Sequence, residues 1–186
     1  MSKIDVRIAY SPDGLLGKEY NRIIEESNCE WILLLDHDLF LCNPHWYYLC
    51  QQAIKNSPKA GIITCLTNNI GCSYQLDKYA PVTHDIMQHI YYAKTINGYG
   101  VTDVSNEKMA ISGMFMLINK QAWKEAGGFP GVGFFKEDND FGRAVLKAGW
   151  KIYRMDGLYV YHLRNRSQSS WITGQKVSKD FLIKKK

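Results

Sequence analysis

Two carboxylates stand together at Asp36-His37-Asp38, directly after the apolar run Trp31–Leu35. Side chains alternate along an extended chain, which predicts Asp36 and Asp38 on one side and His37 on the other. Carboxylates held that close repel each other, and a bound divalent cation is the natural compensation. Hard oxygen ligands favour Mg²⁺ or Mn²⁺, which keep coordination positions for water and phosphate oxygens. The same pair would serve equally well to cap the next helix, so the spacing alone leaves both roles open.

A second acidic cluster, Glu137-Asp138-Asn139-Asp140, follows Gly131-Val132-Gly133-Phe134-Phe135. Carboxylates are favoured where a helix begins, and Asp138 reads as the N-cap of a helix over residues 139–148. A carboxylate held rigidly in that position can also take a proton from a reacting group. His162 ends the run Tyr159-Val160-Tyr161, on the side of Val160 and opposite Tyr161. Taken alone it reads as strand-end packing; beside the aspartates it reads as a ligand.

The elements that must position these groups follow from the pattern of apolar residues. A strand is predicted over 4–9, a turn at Ser11-Pro12-Asp13-Gly14, a helix over 15–27 and a buried strand over Trp31–Leu35. A helix opened by Asn43-Pro44 is predicted through residue 55, then a strand over 61–66. Later come a strand over 111–118, a helix over 120–126 closed by Gly127, and the 139–148 helix closed by Gly149. The last strands, 151–154 and 158–162, are expected to form a hairpin across Asp156-Gly157. Strands alternating with helices predict an α/β fold, a mostly parallel sheet flanked by helices. Ligands in such folds bind beyond the carboxyl ends of the strands, where Asp36 and Asp38 lie. A helix over 83–93 is also predicted, and residues around 97–100 read as a mobile loop.

A chain of 186 residues makes one domain at ~150 residues per domain. Hydrophobic residues at 46% and charged residues at 22% exclude a disordered chain. No apolar run approaches the ~20 residues of a membrane span, and MSKIDVRIAY has no apolar signal core, so a cytoplasmic protein is expected. The net charge of +5 includes Lys184, Lys185 and Lys186 at the end of the chain. The nearly balanced remainder argues against nucleic-acid binding, and the lysine tail leaves room only for weak contact with a membrane surface. Five cysteines, an odd number without a C-x-x-C pair, point to free thiols in a reducing compartment.

Five segments in this order resemble glycosyltransferase family 2, whose members have the GT-A fold. They are Gly17-Lys18-Glu19-Tyr20-Asn21, the stretch from Glu30 to Asp38, the stretch from Ser112 to Phe129, Glu137-Asp138-Asn139-Asp140-Phe141-Gly142-Arg143 with Ala148-Gly149, and Tyr159-Val160-Tyr161-His162. The resemblance implies a hexosyltransferase-like enzyme that moves a sugar from a nucleotide-diphosphate donor, with UDP-sugars the first choice, to a hydroxyl of a carbohydrate or other acceptor. It implies that Asp38, His162 and Asp36 bind Mn²⁺ or Mg²⁺. It makes Asp138, with Glu137 beside it, the catalytic acid–base site of an inverting displacement. Donor binding is expected at Asp36, Asn21, Lys18, Ser11, Tyr10, Ser112 and Gly113. Of these, Lys18 and Asn21 lie three apart on one helix, and Ser112-Gly113 leaves space for a sugar. Arg143 is expected to pair with Asp140 in preference to the diphosphate.

On this reading residues 1–66 form the nucleotide and metal half, 67–110 a variable loop-rich region, 111–175 the acceptor and catalytic half, and 176–186 a basic tail. The chain departs from the family at its start, where about ten residues stand before the Ser11 turn in place of a strand, a helix and a strand. On this reading a polymerising second domain is not expected. Two other readings compete: a nucleotidyltransferase of related fold, for which 13–18 is a sparse phosphate loop, and a carbohydrate-binding scaffold without activity.

Overall fold

A computed structural model describes residues 2–12, 14–96, 98–131 and 137–163. In chain order the elements are β1 (Ile4–Ile8), α1 (Leu16–Glu26), β2 (Trp31–Leu35), β3 (Leu39–Phe40), α2 (Trp46–Asn56) and β4 (Ala60–Thr67). A 3-10 turn (Ser73–Gln75), α3 (Ile86–Thr95), β5 (Val101–Asp103), β6 (Phe115–Asn119), α4 (Lys120–Glu125), α5 (Glu137–Lys147) and β7 (Lys151–His162) complete the fold. The strands form one seven-stranded sheet in the order β1-β2-β6-β4-β7-β3, with β5 paired along β7. β1, β2, β4 and β7 all point one way; β6 runs against its neighbours β2 and β4, as β3 and β5 do against β7. This is the predicted α/β architecture.

Helices cover both faces because the central strands are apolar on both. In β2, Leu33 and Leu35 pack with Leu49, Cys50 and Ala53 of α2, whereas Ile32 and Leu34 pack with Tyr20, Ile23 and Ile24 of α1 and Val145 of α5. The odd–even division is the period-two alternation of a strand. It explains why Trp31–Leu35 had to be continuously apolar. A third cluster forms where Ala93 of α3 meets Tyr159 and Tyr161 of β7. The cysteines are free, and Cys42, Cys50, Cys65 and Cys72 are buried. No helix among the described residues is long and apolar enough to cross a membrane.

α3 runs Ile86–Thr95 in place of 83–93, and α5 starts at Glu137, so Asp138 lies within its first turn and is not its N-cap; three further boundaries differ for local reasons. Residues 151–162 are one strand, not a hairpin: both halves pair in parallel with β4, and the register jumps so that Cys65 faces Met155 but Leu66 faces Tyr159. Asp156 and Gly157 therefore sit in a bulge, where the Asp156 amide donates to the Gly100 carbonyl. A side chain at residue 157 would collide with the Gly98 carbonyl, so glycine is required by close approach rather than by a turn. Asn43-Pro44 does not open α2; Asn43 instead closes a turn by accepting from the His45 amide at 2.8 Å, and the helix starts at Trp46. Residues 111–114 stay outside the ladder, which begins at Phe115. The short strands β3 and β5, two and three residues long, have no alternation to reveal them.

Candidate functional site

β2 ends at Leu35, and the chain turns through residues 36–38 before pairing with β7, Leu39 facing His162. The Leu163 amide donates to the Asp38 carbonyl at 3.0 Å, which fixes Asp38 beside the end of β7. His162 Nε2 lies 3.3 Å from Asp38 Oδ1 and 3.8 Å from Asp36 Oδ2. One ligand atom from each of Asp36, Asp38 and His162 falls within 4.8 Å of the other two. The two aspartates thus converge as expected while His37 is exposed, but a turn brings them together rather than strand alternation.

Two asparagines absent from the sequence reading hold His162. The His162 amide donates to Asn68 Oδ1 at 2.8 Å, and Asn68 Nδ2 donates back to the His162 carbonyl at 3.3 Å. His162 Nδ1 lies 2.8 Å from the Asn69 carbonyl, an acceptor only, so the proton sits on Nδ1 and Nε2 faces the carboxylates. A backbone acceptor behind the imidazole is the usual support of a metal-binding histidine. Both asparagines follow β4 at its carboxyl end, the signal by which they were discoverable.

Burial holds the Asp36 carboxyl above the usual carboxylate range, and the charges of Asp38 and Asp138 add to this against the opposing pull of His162. Burial pushes Asp38 upward more than any single neighbour lowers it, but His162, His37 and the local backbone together outweigh burial and leave it lowered. The His162 imidazole is raised, because Asp38 more than offsets the effect of burial. Two carboxylates and an imidazole nitrogen, crowded and mutually repelling unless a positive charge joins them, form a donor set that suits a divalent cation.

Across the same cleft stands Asp138, in the first turn of α5. Its Oδ2 accepts from the Gly113 amide at 2.6 Å and its Oδ1 from the Asn139 amide at 2.8 Å. Burial raises its pKa, and the backbone donors only partly reverse this. The cleft measures about 710 Å³ and is lined by Asp36, His162, Ser112, Gly113 and Asp138 together with the apolar Tyr20, Ile70 and Ile111. That volume accommodates a ligand of several hundred daltons. Gly113 packs tightly on Asp138: a Cβ there would lie 3.1 Å from the aspartate Cβ, and the aspartate would have to give way by a few tenths of an ångström.

Glu137 also lines the cleft, yet its carboxyl leans on α1 and accepts from the Gly17 amide at the helix start. Burial raises its pKa more than this bond lowers it. Gly17 has no alternative there, because a Cβ would meet the Pro130 carbonyl at 2.5 Å and Glu137 Oε2 at 3.3 Å.

The remaining donor-binding candidates are not gathered into this cleft. Asn21 Oδ1 accepts from the Phe129 amide at 2.7 Å and from Trp123 Nε1 at 2.9 Å, and its Nδ2 donates to the Phe129 carbonyl at 2.9 Å. Both ends of the amide thus join α1 to α4 and the segment after it. Asn21→Ala is therefore expected to cost about 1–3 kcal/mol of stability, a fall of several degrees in melting temperature, with nucleotide affinity unchanged in titration. Lys18, three positions before Asn21 on α1, is exposed and does not line the cleft. Tyr10 and Ser11 leave β1 at the same end of the sheet as Asp36, since Ile8 is in register with Leu35, but neither lines the cleft. Arg143 lines it and donates to the Lys108 carbonyl at 3.5 Å; among the described residues it forms no ion pair with Asp140. Residues 164–186, the lysine tail among them, lie outside the described residues.

Comparison with known proteins gives the same frame. No curated protein matches the chain by sequence. Among solved structures, the mannosyltransferase PcManGT from Pyrobaculum calidifontis, in complex with GDP-Man and Mn²⁺, is similar at a TM-score of 0.50 and 12% identity, over 83% of this chain and 38% of its own. The catalytic domain of Drosophila β1,4-galactosyltransferase 7, in complex with xylobiose, is similar at a TM-score of 0.52 and 13% identity, over 89% of this chain and 72% of its own. The chain thus spans 38% of the length of the mannosyltransferase, and identities this low speak to the fold alone. Sequence comparison with family profiles is more specific, because the profile described as Glycosyltransferase like family 2 matches residues 1–177 and so takes in both acidic centres. With a GT-A-like fold and a match over nearly its whole length, the chain belongs to the glycosyltransferase-like family 2.

Proposed function

We propose that the protein transfers a sugar from a nucleotide-diphosphate donor to an acceptor hydroxyl with inversion, using a divalent ion at Asp36, Asp38 and His162 and Asp138 as general base. The reading is carried by one observation: a compact two-carboxylate, one-imidazole cluster and a separate half-buried carboxylate line or border a single cleft. A divalent ion held there, Mn²⁺ or Mg²⁺, supplies positive charge against the negative charge gathering on the departing diphosphate. The bond from the anomeric carbon to the phosphate oxygen breaks as the acceptor oxygen bonds to that carbon. Asp138 receives the acceptor's proton, and the amides of Gly113 and Asn139 hold its carboxylate still while it does so. An attacking group on the face opposite the leaving group inverts the configuration. Apolar walls at Tyr20, Ile70 and Ile111 limit the water that could compete with the acceptor.

UDP-sugars are the first donors to test, with GDP-mannose beside them because the similar mannosyltransferase was solved with it. On this reading residues 1–66 make the donor side and 111–175 the acceptor side. Melting with Mn²⁺ and a panel of nucleotide sugars is the direct test. A donor at a hundred times its Kd adds about 2.7 kcal/mol, a rise of roughly 5–10 °C that chelation reverses. A melting temperature indifferent to every donor, with and without Mn²⁺, would refute the assignment.

A further inference from the structure

Gln75 is absent from the sequence reading of the site, yet it is fully buried and every arm of its side chain is engaged. Its Oε1 accepts from the Ser112 amide at 2.8 Å; its Nε2 donates to the Ser112 carbonyl at 3.0 Å and to Thr64 Oγ1, in β4, at 2.8 Å. Its neighbour Tyr74 donates from its hydroxyl to the Ala110 carbonyl, and Arg154 of β7 donates to the Tyr74 carbonyl at 2.7 Å. The 3-10 turn is thereby anchored to two strands and grips residues 110–112.

What that grip controls is visible in the next two residues. The Gly113 amide donates to Asp138 Oδ2, and the Met114 carbonyl accepts from the Asp36 amide at 3.0 Å. The two acidic centres therefore hang on neighbouring residues of one turn leading into β6, whose consecutive Cα atoms are ~3.8 Å apart. This segment has no ladder of its own, since β6 begins at Phe115. The Ala110 amide, too, donates to Asn139 Oδ1 of α5, so apart from the turn the segment is held by the very elements it spaces.

We infer that Gln75 is a positioning residue: by locking the main chain at Ser112 to β4, it sets the spacing between the Asp36–Asp38–His162 cluster and Asp138. The inference rests on the transferase reading for its catalytic consequence and on geometry alone for the locking. Removing the side chain's polar atoms leaves the Ser112 amide and carbonyl and the Thr64 hydroxyl without their partner, and the segment free to shift. A displacement of ~1 Å between reacting groups costs about 10² in rate.

The test compares wild type with Gln75→Met, which keeps the length and loses all three bonds, and with Thr64→Val, which loses only the anchor to β4. Gln75→Met is expected to lower kcat for transfer about 10²-fold while donor KM and Mn²⁺ affinity change less than about twofold. Amide hydrogen exchange at residues 112 and 113 should accelerate while residues 115–119 keep their protection. Thr64→Val should show the same split at smaller amplitude, and it carries the test if Gln75→Met does not fold. Unchanged kcat and unchanged exchange at 112 and 113 would overturn the inference. So would a loss of kcat matched by equal losses of Mn²⁺ and donor affinity, or exchange accelerated throughout β6, because those describe general loosening. A wild-type protein that transfers no sugar from any donor refutes the transferase reading separately; hydrogen exchange then still decides whether Gln75 locks the segment.

Discussion

Asp138→Asn is expected to lower turnover by about 10²–10⁴-fold with donor affinity nearly intact, measured as kcat beside calorimetric titration of the nucleotide sugar. The substitution preserves shape and one oxygen that can still accept from the Gly113 amide, but it removes the group able to take a proton. Stability separates this from a capping role. Burial raises the pKa of Asp138 in the folded protein above its unfolded value. An acid raised in this way contributes stability below its unfolded pKa, and that contribution is lost as pH rises through the folded pKa. At neutral pH burial of the charged carboxylate is therefore a cost that asparagine relieves, against the one backbone hydrogen bond it gives up, so the melting temperature should stay close to wild type while activity collapses. A helix cap with no catalytic part would behave the other way, losing heat resistance and keeping specific activity. The same shift places the acid limb of wild-type kcat/KM above the ordinary aspartate range, and activity should fall as pH drops through it.

The second large effect is expected at Asp38. It is buried, it lies 3.3 Å from His162, and His162 is held from behind by Asn68 and Asn69. Loss of an outer-shell partner of a metal ligand typically costs 10–100-fold in affinity, and loss of the ligand itself should exceed that. Asp38→Asn should thus weaken Mn²⁺ binding by more than about 100-fold in calorimetry and remove the metal-dependent part of donor binding. Titrations that are superimposable for wild type and variant, with and without Mn²⁺, would take Asp38 out of the metal site. Paired with Asp138→Asn, the experiment divides the cleft into its two halves: one variant binds and does not turn over, the other does not bind.

These two centres were legible before the structure because each lies where an apolar run stops. Trp31–Leu35 had to be a central strand, and the residues at its carboxyl end had to face a ligand crevice. Asp138 could be placed at the start of a helix from the apolar stripe of α5 alone. Lys18 and Asn21 show the limit of such reasoning. Helical spacing put them on neighbouring positions, but whether a polar side chain meets a ligand or the protein depends on what packs against it. Asn21 meets Phe129 and Trp123, more than a hundred residues away in sequence.

The site's finer arrangement belongs to elements too short to announce themselves. β3 has two residues, and its pairing with β7 is what sets Asp38 beside His162. The 3-10 turn has three, and it places Gln75 under Ser112. The Asp156-Gly157 pair looked like a hairpin turn because it is made of turn residues; a long parallel pairing with β4 and the close carbonyl of Gly98 convert it into a bulge.

From sequence alone, then, come the α/β class, the strand-end aspartates, the helix-start acid and the family, because these are written in local periodicity and residue type. Tertiary structure alone shows which elements bring His162 within 3.3 Å of Asp38, that Asn68 and Asn69 hold this histidine and Gln75 holds Ser112, and that Asn21 joins α1 to Trp123 and Phe129. The reason is that hydrogen bonds between distant segments carry no period along the chain, so they exist as information only once the sheet has brought those segments together.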